Sequence, residues 1–244
     1  MKFSICIEPV FQKYDFCDRI RMAAGLGFDA FEFWHTGDRD ASAIARTAES
    51  AGITAAAFCL KGKLDQAADE VAGNADGSIR FAKNIGCRSL IGLAGAGSEK
   101  DLLNNLKLIA DMLVREEIDL NIEALNSIID HRGTWLDTSY KVFKIISEVG
   151  CPRIRMLYDI YHMQIMEGNI TRNIVDNIGS IGHIHSAGVP GRNEHFKGEL
   201  NYPGILKAIG NTSYEGYFGL EYWPSYDDGQ SAADVMEYLR TGGS

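Results

Sequence analysis

Four residues with proton-transferring or metal-binding side chains close short apolar stretches in the second half of the 244-residue chain: Glu123 in DLNIEA, Asp159 in IRMLYD, His185 in IGHIHS and Glu221 in YFGLEY. A single carboxylate in such a place commonly caps the following helix or faces water. The set is harder to explain that way. Glu123 follows Leu120, Asn121 and Ile122, and Glu221 follows Phe218, Gly219 and Leu220, so both acids leave largely apolar segments where an unpaired charge is costly. If the four stretches are adjacent strands about 4.8 Å apart, their side chains can converge on one cation. Three carboxylates and an imidazole form a mixed oxygen and nitrogen set suited to a divalent metal, Mg²⁺ or Mn²⁺ first, with Co²⁺ or Zn²⁺ as alternatives.

Other groups cluster around these four. His183 lies two residues before His185, so a strand period of two puts both on one face, which leaves ligation, support of His185 and a core role open. His162 comes three residues after Asp159, where it can reach a substrate oxygen or bond backbone. Arg192 sits in the turn-rich segment AGVPGRNE, and its planar guanidinium can clamp a carboxylate or a run of hydroxyls. Lys61 and Lys63 in FCLKGKLDQ are weaker candidates, and His35, His131 and His195 read as structural or exposed, His35 with a place at a strand end. There is no GxxxxGK[ST] phosphate loop, no GxSxG elbow and no paired CxxC, and GLAGAG lacks the spacing of a dinucleotide turn.

The elements that must position these groups are legible as an alternation of apolar runs and amphipathic stretches. Strands are predicted over 3–8, 30–34, 53–58, 89–94, 119–124, 154–159, 181–186 and 217–222. Helical patterns fill the gaps, as in 101–117, where Leu102, Leu106, Ile109 and Leu113 recur every three to four residues. Another runs over 139–150, ending on Gly150 with Pro152 beyond it. A final helix is expected over 231–240. Eight βα units without a linker or low-complexity tract predict a single-domain (β/α)₈ barrel over 1–244, with a doubly wound sheet as the alternative. Chemistry in such a barrel belongs where strands end, which is where the candidates fall.

Composition narrows the setting. With 24 Lys and Arg against 33 Asp and Glu, the net charge of -9 opposes non-specific nucleic-acid binding. Glu8 and Pro9 interrupt the opening MKFSICIEPV, no apolar run nears eighteen residues, and five scattered cysteines lack a paired pattern. The expectation is a cytoplasmic enzyme with no membrane or nucleic-acid partner.

The segments NIEALN, YDIYHMQIMEGNITRNI, GHIHSAGVPGRNE, GELNYPGIL and GYFGLEYWP together resemble the hydroxypyruvate isomerase family, within the xylose-isomerase-like TIM-barrel superfamily of sugar isomerases and epimerases. The resemblance covers the second half of the chain closely and the first half in layout. It implies an aldose-ketose type isomerisation of hydroxypyruvate or a related small 2-oxo acid, with Glu123 and Glu221 as the acid/base pair. By analogy with the ketose 3-epimerases, Glu123, Asp159, His185 and Glu221 would hold a divalent metal, and His162 and Arg192 would contact substrate. His185 stands where many hydroxypyruvate isomerases carry Gln and ketose epimerases carry His. Two further hypotheses are therefore kept: a ketose 3-epimerase acting on a free sugar, and a non-catalytic sugar-binding barrel. Relatives of this shape commonly form homo-oligomers.

Overall fold

All eight predicted strands form and pair in chain order. They are β1 (Lys2–Cys6), β2 (Ala30–Phe33), β3 (Thr54–Cys59), β4 (Ser89–Leu93), β5 (Asp119–Glu123), β6 (Ile154–Asp159), β7 (Ile181–Ser186) and β8 (Tyr217–Leu220). Every neighbour pair is parallel, and β8 returns to β1 to close the barrel. The structure is a computed structural model and describes residues 1–242. Among these residues no helix is long and apolar enough to cross a membrane.

Strand periodicity divides the side chains between two environments. Outward-facing Phe31, Phe33, Phe58, Leu120, Ile122 and Ile184 join one large core with the helix residues Leu102, Leu106, Ile109 and Leu113. The rings of Phe33 and Phe58 stack with centroids 5.0 Å apart, and Phe81, from the helix Ala68–Asn84, meets Phe58 edge-on. The inside of the barrel is different. There the apolar side chains form a small separate cluster of Ala57, Cys59, Ile91 and Leu157, with Trp34 and Leu93 packed against it.

The remaining interior is polar and hydrogen-bonded. Buried Glu32 accepts from Ser4 Oγ, from His183 Nε2 at 3.0 Å and from His185 Nε2 at 2.7 Å. These residues interrupt strands whose alternate positions are apolar and outward, so a run that reads as continuously apolar hides an inward polar set. Gly219 on β8 makes room for it: a Cβ there would lie 2.6 Å from Glu32 Oε1 and 2.8 Å from His185 Cδ2.

Three of the boundary shifts have a clear local cause. β1 stops at Cys6 rather than continuing to residue 8, because the helix Ile7–Val10 begins there, with Pro9 in its first turn. β8 stops at Leu220, so Glu221 is the first residue beyond the strand; its amide still donates to Ser186 O at 3.0 Å, which keeps it on the rim. The last helix starts at Asp228, three residues earlier than expected, because Asp227 Oδ1 accepts from Gln230 N and caps it.

The loop after β7 is tied down along its length. Buried Glu194 accepts from Ser225 N and Ser225 Oγ, both at 2.8 Å, and from Ser231 Oγ at 2.9 Å. His195, expected to be structural or exposed, is fully buried, with its Nε2 2.8 Å from Ser186 Oγ; burial holds its pKa down to about 3. Tyr202 O–H donates to Ala187 O at 2.6 Å. This anchoring holds Arg192 in a left-handed backbone conformation, φ 56°, at the mouth of the barrel.

Candidate active site

The register of the last four strands brings the four strand-end candidates to one level. Glu123 pairs with Leu157, Asp159 with His185, and His185 with Gly219, two residues before Glu221. Glu123, Asp159, His185 and Glu221 each offer one ligand atom, and these atoms all lie within 4.8 Å of one another. Glu123, His185 and Glu221 form the floor of a cavity of about 300 Å³ whose walls include Trp34, His35, Lys63, Leu93, Leu125, His131, His162, Arg192 and Trp223, and Asp159 lies buried beside that floor.

Each group is aimed by a specific partner. Asp159 Oδ1 accepts from the amides of Tyr161 and His162, capping the helix Ile160–Met166, while Oδ2 turns to the cluster, 3.6 Å from Arg192 Nη2. Helix capping and a place in the site are thus divided between the two oxygens of one carboxylate. His162 Nδ1 accepts from Asn126 Nδ2 at 2.7 Å and from Asn126 N at 3.3 Å. The ring proton therefore sits on Nε2, which faces the cavity 3.9 Å from Glu123 Oε1.

Glu221 accepts from Trp34 Nε1 and from Arg192 Nη2, each at 2.5 Å. The Arg192 guanidinium lies between the rings of Tyr161 and Trp223, 4.9 Å from each centroid. Trp34 is held in turn through its backbone amide by Glu8, whose other oxygen pairs with Arg39.

The electrostatics differ sharply between the two glutamates. Burial pushes the Glu123 carboxyl well above its usual range, and the charges of Glu221 and Asp159 push it further. Burial acts the same way on Glu221, but Arg192 and His185 outweigh it and hold that carboxyl far below normal. His185 is opposed by burial, yet Glu32 on one side and Glu221 on the other raise it well above an ordinary histidine. Burial, aided by Arg192, holds His162 low and neutral.

The donor set fits a divalent cation. Three carboxylates at this spacing repel one another, and Glu123 Oε1 and His185 Nδ1 are buried without a hydrogen-bond partner. With Nε2 of His185 donating to Glu32, the other ring nitrogen is the one that faces the carboxylates, 3.5 Å from Glu221 Oε2.

Sequence reasoning passed over four supporting residues: Glu32, Asn126, Trp34 and Trp223. Glu32 had a signal, a charge between Phe31 and Phe33 in an otherwise apolar strand. For the tryptophans nothing in the local sequence points to Glu221 or Arg192. Of the weaker candidates, Lys63, His35 and His131 line the cavity, whereas Lys61 faces a neighbouring depression with Asp38 and Gly62.

Glu32 offers a direct check on how His185 is oriented. Its replacement by Gln would set an amide NH₂ against an imidazole N–H and favour the other ring tautomer. E32Q is expected to weaken Mn²⁺ binding about 10- to 100-fold, read by metal titration. Unchanged affinity would remove Glu32 from any role in orienting that ring.

Comparison with known proteins places this geometry. Residues 20–242 match the family model for the xylose isomerase-like TIM barrel. The chain is 34% identical to the hydroxypyruvate isomerase of Escherichia coli (strain K12), over 92% of this chain and 94% of the relative. It is 29% identical to a 2-oxo-tetronate isomerase of Pectobacterium atrosepticum, over 91% and 92% of the two chains. Among solved structures, an AP endonuclease, family 2, from Brucella melitensis superposes with a TM-score of 0.92 at 27% identity, covering 97% of this chain and 98% of that one.

Proposed function

The chain belongs to the xylose isomerase-like TIM barrel family and is an isomerase; we propose that it interconverts a small 2-oxo-3-hydroxy acid, hydroxypyruvate or its four-carbon homologue, with the corresponding 2-hydroxy-3-oxo acid, an aldehyde for the three-carbon compound and a ketone for the four-carbon one. The observation that carries this reading is the meeting of Glu123 and Glu221, 98 positions apart in the chain, with His185 at the floor of one cavity and with Asp159 in the same cluster. Five free thiols among the described residues accord with a reducing, cytoplasmic setting. The net charge of -9 does not suit the nucleic-acid substrate that the endonuclease's name would suggest.

The reaction moves two hydrogens between neighbouring carbons and leaves the oxidation state of the whole unchanged. A base takes a proton from the hydroxyl-bearing carbon, and the C–H electrons form a carbon–carbon double bond as the carbonyl electrons move to oxygen. The enediolate then receives a proton at the former carbonyl carbon while the hydroxyl proton passes between the two oxygens. One of Glu123 and Glu221 takes the carbon-bound proton and the other returns one.

Such transfer contributes roughly 10² to 10⁴ in rate, so stabilising the enediolate must supply much of the rest. His162 Nε2–H is presented to the cavity with its other nitrogen held by Asn126, suited to donate to a developing oxyanion. Arg192 adds a fixed positive charge beside Glu221 and Asp159. Glu123, Asp159, His185 and Glu221 would hold the cation, Mg²⁺ or Mn²⁺ before Co²⁺ or Zn²⁺, which when bound supplies Lewis-acid polarisation of the substrate's carbonyl and hydroxyl oxygens.

The test is a substrate panel with Mn²⁺ present. Turnover of hydroxypyruvate or 2-oxo-tetronate, with D-fructose and D-tagatose processed at least about 100-fold less well, is the expected pattern. A preference for the free ketoses would overturn it in favour of 3-epimerisation, the chemistry that His185 leaves open. Binding of these compounds without turnover would leave a sugar-binding barrel.

A further inference from the structure

We infer that Lys63 is the residue that binds the substrate's carboxylate and so selects oxo acids over neutral ketoses, an inference that rests on the oxo-acid reading above. The cavity poses an electrostatic problem for an anionic substrate. Its floor carries Glu123 and Glu221 with Asp159 buried beside them, and the whole chain is negative. An acid entering here needs a local cation.

Arg192 does not supply it. Its Nη2 is committed to Glu221 at 2.5 Å and lies 3.6 Å from Asp159, and the aromatic rings on either side fix the guanidinium there. Apart from Arg192, Lys63 is the one Lys or Arg side chain lining the cavity, and among the described residues its Nζ enters no ion pair. The acid nearest in the chain, Asp65, is already occupied: its carboxylate accepts from Gly95 N at 2.6 Å, Gly97 N at 2.8 Å and Trp135 Nε1 at 3.1 Å.

The segment that carries Lys63 is rigidly held. Leu60 N donates to Ile91 O and Leu64 N to Leu93 O, both at 2.8 Å, which stitches it to the end of β4. Asn105 Nδ2 donates to Leu64 O and Gln66 O, both at 2.9 Å, and Lys63 N donates to Gln66 Oε1 at 2.8 Å. Gly62, at φ 79°, turns the chain so that Lys61 leaves the cavity while Lys63 faces it. A half-buried, unpaired ammonium on an anchored loop is preorganised for an anion.

Its place on the rim completes the fit. In the closed order of eight strands, β3 stands opposite β7, so the loop after β3 faces the Asp159–His185–Glu221 side across the mouth. A short acid can then lay its reacting carbons over the glutamates and extend its carboxylate to Lys63, past the apolar wall of Ile91, Leu93 and Leu125.

The experiment compares hydroxypyruvate with dihydroxyacetone, which replaces the carboxylate by a neutral CH₂OH. K63M is expected to raise KM for hydroxypyruvate about 30- to 100-fold, the worth of one charge-assisted hydrogen bond, with kcat and the kcat/KM for dihydroxyacetone within about threefold of wild type. K63R should recover most of the loss, and K61M should behave as wild type. Binding of D-glycerate, measured by calorimetry, should weaken by the same factor in K63M, whereas glycerol should show no change. Equal losses on charged and neutral compounds, a fall in kcat alone, or no change in any constant would overturn the assignment. If the wild-type enzyme turns over neither oxo acid, the functional reading fails by itself, and D-glycerate binding still decides the role of Lys63.

Discussion

Turnover by E221Q is expected to fall at least about 10³-fold, with the far-ultraviolet spectrum close to wild type. The amide has the shape of the carboxylate and can still accept from Trp34 Nε1, but it cannot take a proton from carbon. It also places a neutral group where Arg192 Nη2 and His185 Nδ1 now face a negative charge, at 2.5 Å and 3.5 Å. Loss of these charge-assisted contacts costs roughly 2–3 kcal/mol, about 5–10 °C in melting temperature for a chain of this size, and an unchanged far-ultraviolet spectrum at the assay temperature separates loss of activity from loss of fold. E123Q should give a similar kinetic loss with less effect on stability, because burial and neighbouring carboxylates already favour the protonated form of Glu123. Activity in E221Q within about tenfold of wild type would remove Glu221 from proton transfer and would leave the four-residue cluster as a binding feature only.

The second large effect concerns the cation. Enzyme stripped with a chelator is expected to retain below about a hundredth of its activity and to recover on addition of Mn²⁺ or Mg²⁺. Saturating metal, at about 100 times its Kd, should stabilise the fold by about 2.7 kcal/mol, which corresponds to a rise of roughly 5–10 °C in melting temperature. The direction with pH follows from the ligands. Glu123 and His185 both have raised pKa values in this structure and must release protons to bind metal, so Mn²⁺ affinity is expected to increase as pH rises. D159N should abolish the thermal shift while keeping the helix cap, since an amide oxygen can still accept from Tyr161 N and His162 N. No shift with any of Mg²⁺, Mn²⁺, Co²⁺ or Zn²⁺ would remove the metal from the proposal.

The architecture was largely legible because each strand advertises itself locally. β6 and β7 coincide with their predicted spans, 154–159 and 181–186, because apolar residues fill the outward positions and turn or helix chemistry bounds both ends. From the strand ends, the positions of Asp159, His185, Glu123 and Glu221 on one rim followed from barrel closure alone. The supporting residues did not follow, since their roles depend on which distant side chain arrives beside them. Trp34 and Glu221 are 187 positions apart, and Glu32 and His185 are 153. Glu32 could have been flagged as a buried charge without an assigned partner, but only closure of the barrel brings His183 and His185 of β7 across its interior as donors to it. Lys63 lay one glycine from Lys61, and the sequence treats the two alike; the turn at Gly62 separates them.

The shared duty of Asp159 has a consequence for how this scaffold can be altered. A side chain that both starts a helix and faces the reacting centre couples the placement of His162 and Tyr161 to whatever occupies the centre. Shortening or removing it would cost order in the first turn as well as chemistry. Redesign for new substrates therefore has its freedom on the far wall, around Leu93 and Leu125, rather than along the edge that Asp159 holds in place.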